Sequence, residues 1–266
     1  MHLHATQYGD ASALEASTPV IILHGLFGSN RNWHPIAKAL SDDHLVYSVD
    51  LRNHGQSPHA EVMDYPHMAE DVLRFIQHKL EHTQLSSVNI IAHSMGGKVA
   101  MWLALTYPEI VKKLVVVDIA PVTYEHDFSD VLNGFQSVPL HLLNSRQHAD
   151  DYLSELIHDR SLRQFLLQNL QFTEGKYQWR LNLEVISQSI STLIAFPETK
   201  SLAPFNKRVL FVGGGQSEYL SKMTKKQTRV LFPSASFSMI KSAGHWLHAE
   251  QPELFKALIQ PYLNSD

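Results

Sequence analysis

The sequence predicts an α/β fold in which a mostly parallel sheet carries helices on both faces and is interrupted by an inserted helical cap. Short β-branched apolar runs alternate with segments of helical apolar spacing up to about residue 123 and again after residue 206. This alternation is typical of parallel strands joined by helices. Between these regions the alternation stops, and successive amphipathic helices follow one another. We therefore expect a core formed by residues 1–123 and 206–266, with a helical cap or lid at 124–205.

Each predicted strand of the core is a short apolar run that stops at a polar or small residue, as buried central strands do. After a terminal strand near His2 and His4, the strands of the first part are residues 20–23, 45–49, 88–92 and 113–117. The helices between them are residues 32–40, 65–80 and 95–107. The cap is predicted to contain helices 138–143, 148–156, 162–170 and 181–191, and no strand. The core then resumes with strands 209–212 and 237–240 and a closing helix at 253–263.

Length and composition restrict the class of protein. With 266 residues, 44% of them hydrophobic and 18% charged, the chain is long enough for one large domain with an insertion. The absence of cysteine excludes disulfide, thiol, zinc–thiolate and iron–sulfur chemistry, and it fits a cytoplasmic location. A net charge of −4 with scattered basic residues predicts no nucleic-acid partner, and no apolar run approaches the roughly 20 residues of a membrane span. The 17 histidines are dispersed along the chain, so we expect no metal and no other cofactor.

The strongest local signal is a serine placed between an apolar strand and a helix of small residues. Ser94 follows the predicted strand 88–92 directly and is flanked two positions away by Ala92 and Gly96. A chain that turns from strand to helix this sharply strains the backbone at the serine and needs small neighbours, and it exposes the hydroxyl. A bare S-x-G-G pattern is more often a helix N-cap. The strand before Ser94 and the helix after it favour a nucleophile, although Ala92 replaces the first glycine of the usual G-x-S-x-G.

A nucleophilic serine needs a general base, because a free hydroxyl is almost wholly protonated at neutral pH. His245 follows the last predicted strand, and Gly244 before it permits a tight turn that presents the histidine on a loop. A single histidine at such a place is more often a surface or capping residue. In combination with Ser94, the sequence predicts that His245 is the base.

A second glycine-containing loop follows the first long strand and reads His24-Gly25-Leu26-Phe27-Gly28. We expect the backbone N–H groups of Leu26 and Met95 to hold the oxyanion of a tetrahedral intermediate. The two glycines by themselves would indicate only a loop. His24 and Trp246 are predicted to line the substrate pocket, and packing is the alternative for Trp246.

These motifs resemble those of the α/β-hydrolase superfamily, which adds a D-x-R-x-x-G-x-S motif after the second long strand. Residues 50–57 read Asp-Leu-Arg-Asn-His-Gly-Gln-Ser and match it. The strings at 118–121 (Asp-Ile-Ala-Pro) and 213–219 (Gly-Gly-Gly-Gln-Ser-Glu-Tyr) are similar to those of small bacterial esterases of the YbfF type. The resemblance covers essentially the whole chain. It implies an α/β-hydrolase fold and activity on carboxylic esters or thioesters, including acyl-CoA.

The acid that orients the base has two candidates. In most of the superfamily it ends a G-x-x-D motif after the strand that follows the cap, and here that position is Ser217, with Glu218 next to it. Asp118 instead ends the strand after the nucleophile's helix, where sites gather in open α/β sheets. The YbfF-type resemblance also implies an acid at Asp118. We therefore predict Asp118, with Glu218 as the alternative acid and a loop-capping carboxylate as the alternative role of Asp118.

Together these residues predict a serine hydrolase that cleaves a small-molecule ester or thioester through an acyl-enzyme, with Ser94, His245 and Asp118 as its triad. Two other functions use the same scaffold. One is a lyase or carbon–carbon bond hydrolase of the menaquinone-pathway type, and the other is a ligand-binding protein without catalysis. Enzymes of the first type usually keep the acid at the later position, which here holds Ser217. An intact Ser94–His245 pair would be unusual in a protein that only binds a ligand.

Overall fold

The computed structural model describes residues 1–10 and 18–265. Its strands are β1 (Ala5–Tyr8), β2 (Val20–Leu23), β3 (Val46–Val49), β4 (Val88–His93), β5 (Val111–Val117), β6 (Leu170–Thr173), β7 (Lys176–Trp179), β8 (Val209–Gly214) and β9 (Ala235–Ile240). Seven of these form one sheet in the order β1-β3-β2-β4-β5-β8-β9. Strand β1 is antiparallel to β3, and the other pairs in this sheet are parallel. The predicted mostly parallel sheet is confirmed.

Helices cover both faces of this sheet. They are α1 (His34–Leu40), α2 (Tyr65–Leu80), α3 (Met95–Thr106), α4 (Ser129–Ser137), α5 (Arg146–Ser154), α6 (Arg160–Leu167), α7 (Leu183–Ile194), α8 (Lys222–Leu231), α9 (Leu247–Glu250) and α10 (Pro252–Asn264). Helices α1 and α10 bury one face through residues such as Leu40 and Phe255, and α2 and α3 bury the other through residues such as Val72 and Val99. Every residue of β2 and β4 is buried, because apolar layers lie on both sides of them.

The segment between β5 and β8 differs from the prediction of helices alone. Strands β6 and β7 pair as an antiparallel hairpin, and Glu174 and Gly175 form its turn with φ of 53° and 78°. Two successive positive φ values are the geometry that a two-residue hairpin turn requires. Phe172 and Tyr177 lie opposite each other across the strands, with ring centroids 4.9 Å apart. The prediction that the cap contains no strand is therefore wrong for this hairpin.

Three helix predictions are also corrected. Helix α4 was not predicted, and the helix expected at 138–143 is only a 3₁₀ turn, Leu140–Leu142, which starts after Pro139. Helix α8 was missed because its exposed surface is strongly polar and only Thr228 in it is buried. Among the described residues, no helix combines the length and apolarity that crossing a membrane needs.

Candidate active site

The loops that carry the predicted site meet at the carboxyl edge of the sheet, where open α/β sheets place their sites. Residues 24–28 follow β2, Ser94 follows β4, and Asp118 follows β5. Ser217 lies in the loop after β8, and His245 in the loop after β9. The strand order places β2, β4, β5, β8 and β9 side by side, so residues distant in sequence converge.

Ser94 adopts the strained backbone that the sequence predicts. Its φ and ψ are 51° and −120°, which non-glycine residues rarely adopt, and helix α3 begins at the next residue. Gly96 permits the turn, because a Cβ there would lie 2.4 Å from the His24 carbonyl oxygen. Gly25 faces the same turn, and a Cβ on it would lie 3.2 Å from the Ser94 Cβ. The strand-to-helix turn at Ser94 and the loop after β2 are thus packed backbone against backbone.

Asp118 and His245 are joined by a hydrogen bond of 2.7 Å between Oδ2 of the aspartate and Nδ1 of the histidine. Asp118 is fully buried, and its carboxylate accepts two further hydrogen bonds. Ser217 Oγ donates to Oδ2, and the Gly214 backbone N–H donates to Oδ1 at 3.0 Å. A buried carboxylate is tolerated when donors compensate its charge, and these three groups do so. Because Nδ1 of His245 is bonded, Nε2 is the nitrogen left for proton transfer.

The contact between Asp118 and His245 follows from the strand order. Strands β5 and β8 are neighbours, so the ends of both strands lie beside His245. Ser217, which occupies the superfamily's usual acid position, donates its hydroxyl hydrogen to Asp118. Glu218, the alternative acid, is exposed, and Asp118 takes the contact with Nδ1 of His245. Gly214 must be glycine because a Cβ there would lie 2.0 Å from the Gly244 carbonyl oxygen, next to His245.

The residues predicted to form the oxyanion hole both lie beside the serine. Leu26 and Met95 line the same small cavity as Ser94. The loop that carries Leu26 is closed by a hydrogen bond of 3.0 Å from the Gly28 N–H to the Gly25 carbonyl. Phe27 within it has a φ of 59°, so the loop is held in a conformation that an unconstrained chain would leave.

Two buried histidines hold this loop in place. His24 was predicted to line the substrate pocket. It borders a cavity that opens at Ser94, but both its ring nitrogens are bonded to backbone atoms. Nδ1 lies 2.8 Å from the Gly25 carbonyl oxygen, and Nε2 accepts from the Leu51 N–H at 3.0 Å. His54 Nε2 accepts from the Phe27 N–H at 3.2 Å. His54 Nδ1 lies 2.9 Å from the Arg52 carbonyl oxygen, so each ring donates from Nδ1 and is neutral. Burial lowers the pKa of both, that of His54 to about 3.

Two further buried histidines, His93 and His248, lie beside the loop that carries His245, and the sequence did not predict a role for either. His93 Nε2 lies 2.9 Å from the carbonyl oxygen of His245, which accepts its hydrogen. His248 stacks on Trp33 with ring centroids 4.1 Å apart and an interplanar angle of 1°. Burial lowers the pKa of His93 well below its ordinary value and that of His248 to about 3. The only sequence signal for His93 is its place directly before Ser94, since its partner lies 152 residues away.

A cavity of about 470 Å³ opens at Ser94 and is bounded by both the core and the inserted segment. The core contributes His245 and Trp246, and the insertion contributes residues of 126–131 and 156–165. Trp246, predicted to line the substrate pocket, borders this cavity and packs against Phe165 with ring centroids 5.6 Å apart. Phe165 belongs to α6, so the insertion covers the carboxyl edge of the sheet above the serine.

A second, smaller cavity of about 30 Å³ also borders Ser94, and Lys98 is among the residues that line it. This lysine is almost completely buried in α3. Its ammonium donates to the carbonyl oxygens of Ile194 and Ala195, at 2.8 and 2.7 Å, at the carboxyl end of α7. A cation is favoured at that end of a helix. Burial lowers the pKa of Lys98 to about 7.

Comparison with known proteins places these features in a wider group. The family described as "alpha/beta hydrolase fold" matches residues 18–252. The sn-1-specific diacylglycerol lipase ABHD11 of Danio rerio is 41% identical over 255 residues, which are 93% of this chain and 78% of the relative. Esterase YbfF of Escherichia coli strain K12 is 34% identical over 251 residues, which are 93% of this chain and 94% of the relative. A solved structure of a marine microorganism esterase is 37% identical and superposes with a TM-score of 0.92, covering 98% of this chain and 99% of the other.

Proposed function

The chain belongs to the α/β-hydrolase family, and we propose that it cleaves carboxylic esters and thioesters of small molecules through a covalent acyl-enzyme. The observation that carries this proposal is the Asp118–His245 hydrogen bond of 2.7 Å at the same cavity as Ser94 on its strained turn. Relatives with esterase and lipase names support the ester class.

In the first half of the reaction, Nε2 of His245 takes the proton from Ser94 Oγ as that oxygen attacks the acyl carbon. The carbonyl π electrons move to the oxygen, and the backbone N–H groups of Leu26 and Met95 stabilise the resulting oxyanion. Asp118 holds Nδ1 and stabilises the imidazolium. When the tetrahedral intermediate collapses, His245 donates its proton to the leaving oxygen or sulfur, and the acyl group remains on Ser94.

In the second half, His245 takes a proton from water as the water attacks the acyl-enzyme. The acid product and the free Ser94 hydroxyl are then released as His245 returns the proton to Ser94. No step requires a metal or an organic cofactor. The chemistry is the same for oxygen and sulfur esters, so the proposal includes acyl-CoA thioesters. A cytoplasmic location remains a prediction from the absence of cysteine.

We further propose that residues 124–205 act as a lid. The insertion borders the large cavity through α4 and through the α5–α6 junction, and α7 closes the small cavity. A lid of this kind excludes water and positions the substrate over the nucleophile.

The proposal is tested by kinetics on p-nitrophenyl esters. Ser94→Ala should reduce kcat by about 10³-fold or more with the circular dichroism spectrum unchanged, because it deletes only the attacking oxygen. Ser242→Ala is the matched control, since Ser242 is an exposed serine three residues before His245. Near-normal turnover by Ser94→Ala would show that another residue performs the chemistry.

A further inference from the structure

Ser94 lies where two cavities of very different size meet. The large cavity of about 470 Å³ and the small one of about 30 Å³ share Ser94, Leu26, His126, Phe128 and Tyr219. An ester bound at Ser94 has two substituents on its acyl carbon, the acyl chain and the leaving group, and these diverge from each other. Two cavities that adjoin at Ser94 can hold one each.

The general acid decides which substituent enters which cavity. On the mechanism proposed above, His245 must reach the leaving heteroatom to protonate it, so the leaving group lies on the side of His245. His245 and Trp246 line the large cavity and do not line the small one, which is lined instead by residues such as Met95, Lys98 and Ile194. The leaving group therefore fits the large cavity, and the acyl chain fits the small one.

The small cavity has room for only a short substituent. One water-sized group requires about 10–15 Å³ of such space, so about 30 Å³ holds two or three such groups. Its walls are apolar, from side chains such as Met95, Ile119 and Ile194. Lys98 also lines it, and this almost fully buried lysine is held in place by two carbonyl groups. With the carbonyl carbon placed at Ser94, this volume admits acyl chains of up to about four carbons.

The large cavity suits a bulky, uncharged leaving group. Much of its wall is apolar, including Phe128, Leu162 and Phe165. Its charged lining residues are the aspartates at 127, 130 and 159, all exposed, and no lysine or arginine of the described chain lines it. These negative charges repel an anionic leaving group, and because they are exposed, added salt weakens the repulsion.

We propose that the enzyme selects esters in which a short acyl group is joined to a bulky, uncharged alcohol or thiol, with the acyl chain in the small cavity. This assignment rests on the proposed function. It makes Ile194 a determinant of acyl length and Leu162 a determinant of leaving-group size, although both residues belong to the insertion.

The first experiment measures kcat/KM on p-nitrophenyl esters from acetate to dodecanoate and on methyl and naphthyl butyrates. The wild-type protein should prefer two to four acyl carbons to eight by about tenfold or more. Ile194→Ala should move the optimum toward longer chains, and Ile194→Phe should restrict the enzyme to acetate. Leu162→Ala, the matched control from the large cavity, should leave the acyl ranking unchanged and alter only the ratio between naphthyl and methyl butyrate.

A shift of the acyl ranking by Leu162→Ala and none by either Ile194 variant would reverse the assignment. An unchanged ranking in all three variants would overturn it, provided that their unfolding temperatures match the wild type. Both failures leave ester hydrolysis by the wild-type protein intact. By contrast, no hydrolysis of any ester would refute the proposed function itself.

The second experiment tests the charge of the leaving group. Butyryl-CoA and butyryl-N-acetylcysteamine carry the same thioester, but only the first carries phosphates. We expect kcat/KM for the CoA ester to be several-fold lower at low salt, and the difference to shrink as salt is added. Asp130→Lys should raise the rate with butyryl-CoA alone, and Asp42→Lys, the same charge change at an exposed residue outside the cavity, should not. Equal rates for the two thioesters at low salt, or a higher rate with CoA, would overturn the uncharged leaving group.

Discussion

At the residue scale, the site depends on one carboxylate that three donors hold at the end of a core strand. Asp118 has a φ of 51°, and its backbone N–H donates to the Val212 carbonyl of the neighbouring strand at 2.8 Å. The strained backbone and the three side-chain hydrogen bonds fix the carboxylate against Nδ1 of His245. An orienting acid must be immobile in this way, because it selects the tautomer of the base.

Replacing this carboxylate separates the two acids that the sequence left open. Asp118→Asn should reduce kcat by up to about 10⁴-fold, because an amide cannot stabilise the imidazolium and favours the wrong tautomer. Glu218→Gln, the matched control, should keep near-normal kcat, since Glu218 is exposed and Asp118 holds the histidine. Steady-state kinetics with one ester measures both. A large loss in Glu218→Gln together with a small one in Asp118→Asn would exchange the two roles.

Some residues of the site could be predicted from the sequence and others could not. Ser94 and His245 stand in short local patterns, and Asp118 was indicated by a serine at the usual acid position. The contribution of Ser217 as a donor to Asp118 was not foreseen, nor were those of His54 and His93. Their partners lie 27 to 152 residues away, so only the folded chain brings them together.

At the scale of elements, the sharp turn at Ser94 depends on backbone contact between the loop after β2 and the start of helix α3. Gly96→Ala should lower the free energy of unfolding by about 1–3 kcal/mol, since the new Cβ meets the carbonyl of His24 at 2.4 Å. It should also reduce kcat strongly, because the displaced backbone carries Leu26 and Met95. Urea unfolding and ester kinetics report the two effects.

Gly175→Ala provides the comparison for that variant. Gly175 has a φ of 78° but no atom within 4 Å of the added Cβ, so the change strains only the hairpin turn. We expect a loss of about 1 kcal/mol with kcat unchanged. If both glycine variants lose stability and activity in parallel, the close packing at Gly96 is not what positions the site.

The elements of the core were easier to predict than those of the insertion. Fully buried strands such as β2 and β4 are apolar throughout, and this pattern is read directly. The hairpin β6–β7 is partly exposed on both strands and carries no such run. Its tendency to pair comes from the turn at Glu174 and Gly175, which a search for apolar periodicity does not register.

At the scale of the whole molecule, four buried histidines make stability depend on pH. Burial lowers the folded-state pKa of His24, His54, His93 and His248, those of His54 and His248 to about 3. In the unfolded chain their pKa is about 6.5. Below pH 6.5 the unfolded state therefore binds protons that the native state does not, and stability falls as pH falls toward 3. Each histidine contributes up to about 1.4 kcal/mol per pH unit, and above pH 6.5 this contribution levels off.

His248 allows this dependence to be measured at one position. Its Nδ1 has no hydrogen-bond partner among the described residues, and its ring stacks on Trp33, so His248→Phe keeps the packing and removes the titration. Urea unfolding at pH 7.5, 6 and 5 should show a shallower loss of stability in His248→Phe than in the wild type. Phe255→Leu, which alters packing against the same Trp33, should lower stability equally at each pH. An unchanged slope in His248→Phe would show that His248 is not held neutral.

The central claim is that Ser94 is the nucleophile of a serine hydrolase, and covalent labelling tests it most directly. A fluorophosphonate reacts with a serine only when a base activates its hydroxyl. After incubation with the native protein, peptide mapping by mass spectrometry should find one phosphonate adduct, on Ser94, and hydrolysis of p-nitrophenyl acetate should be lost in proportion to labelling. Ser94→Ala should remain unlabelled and Ser242→Ala should label normally. An adduct on another residue with activity lost, or full activity in a protein fully labelled at Ser94, would contradict the account.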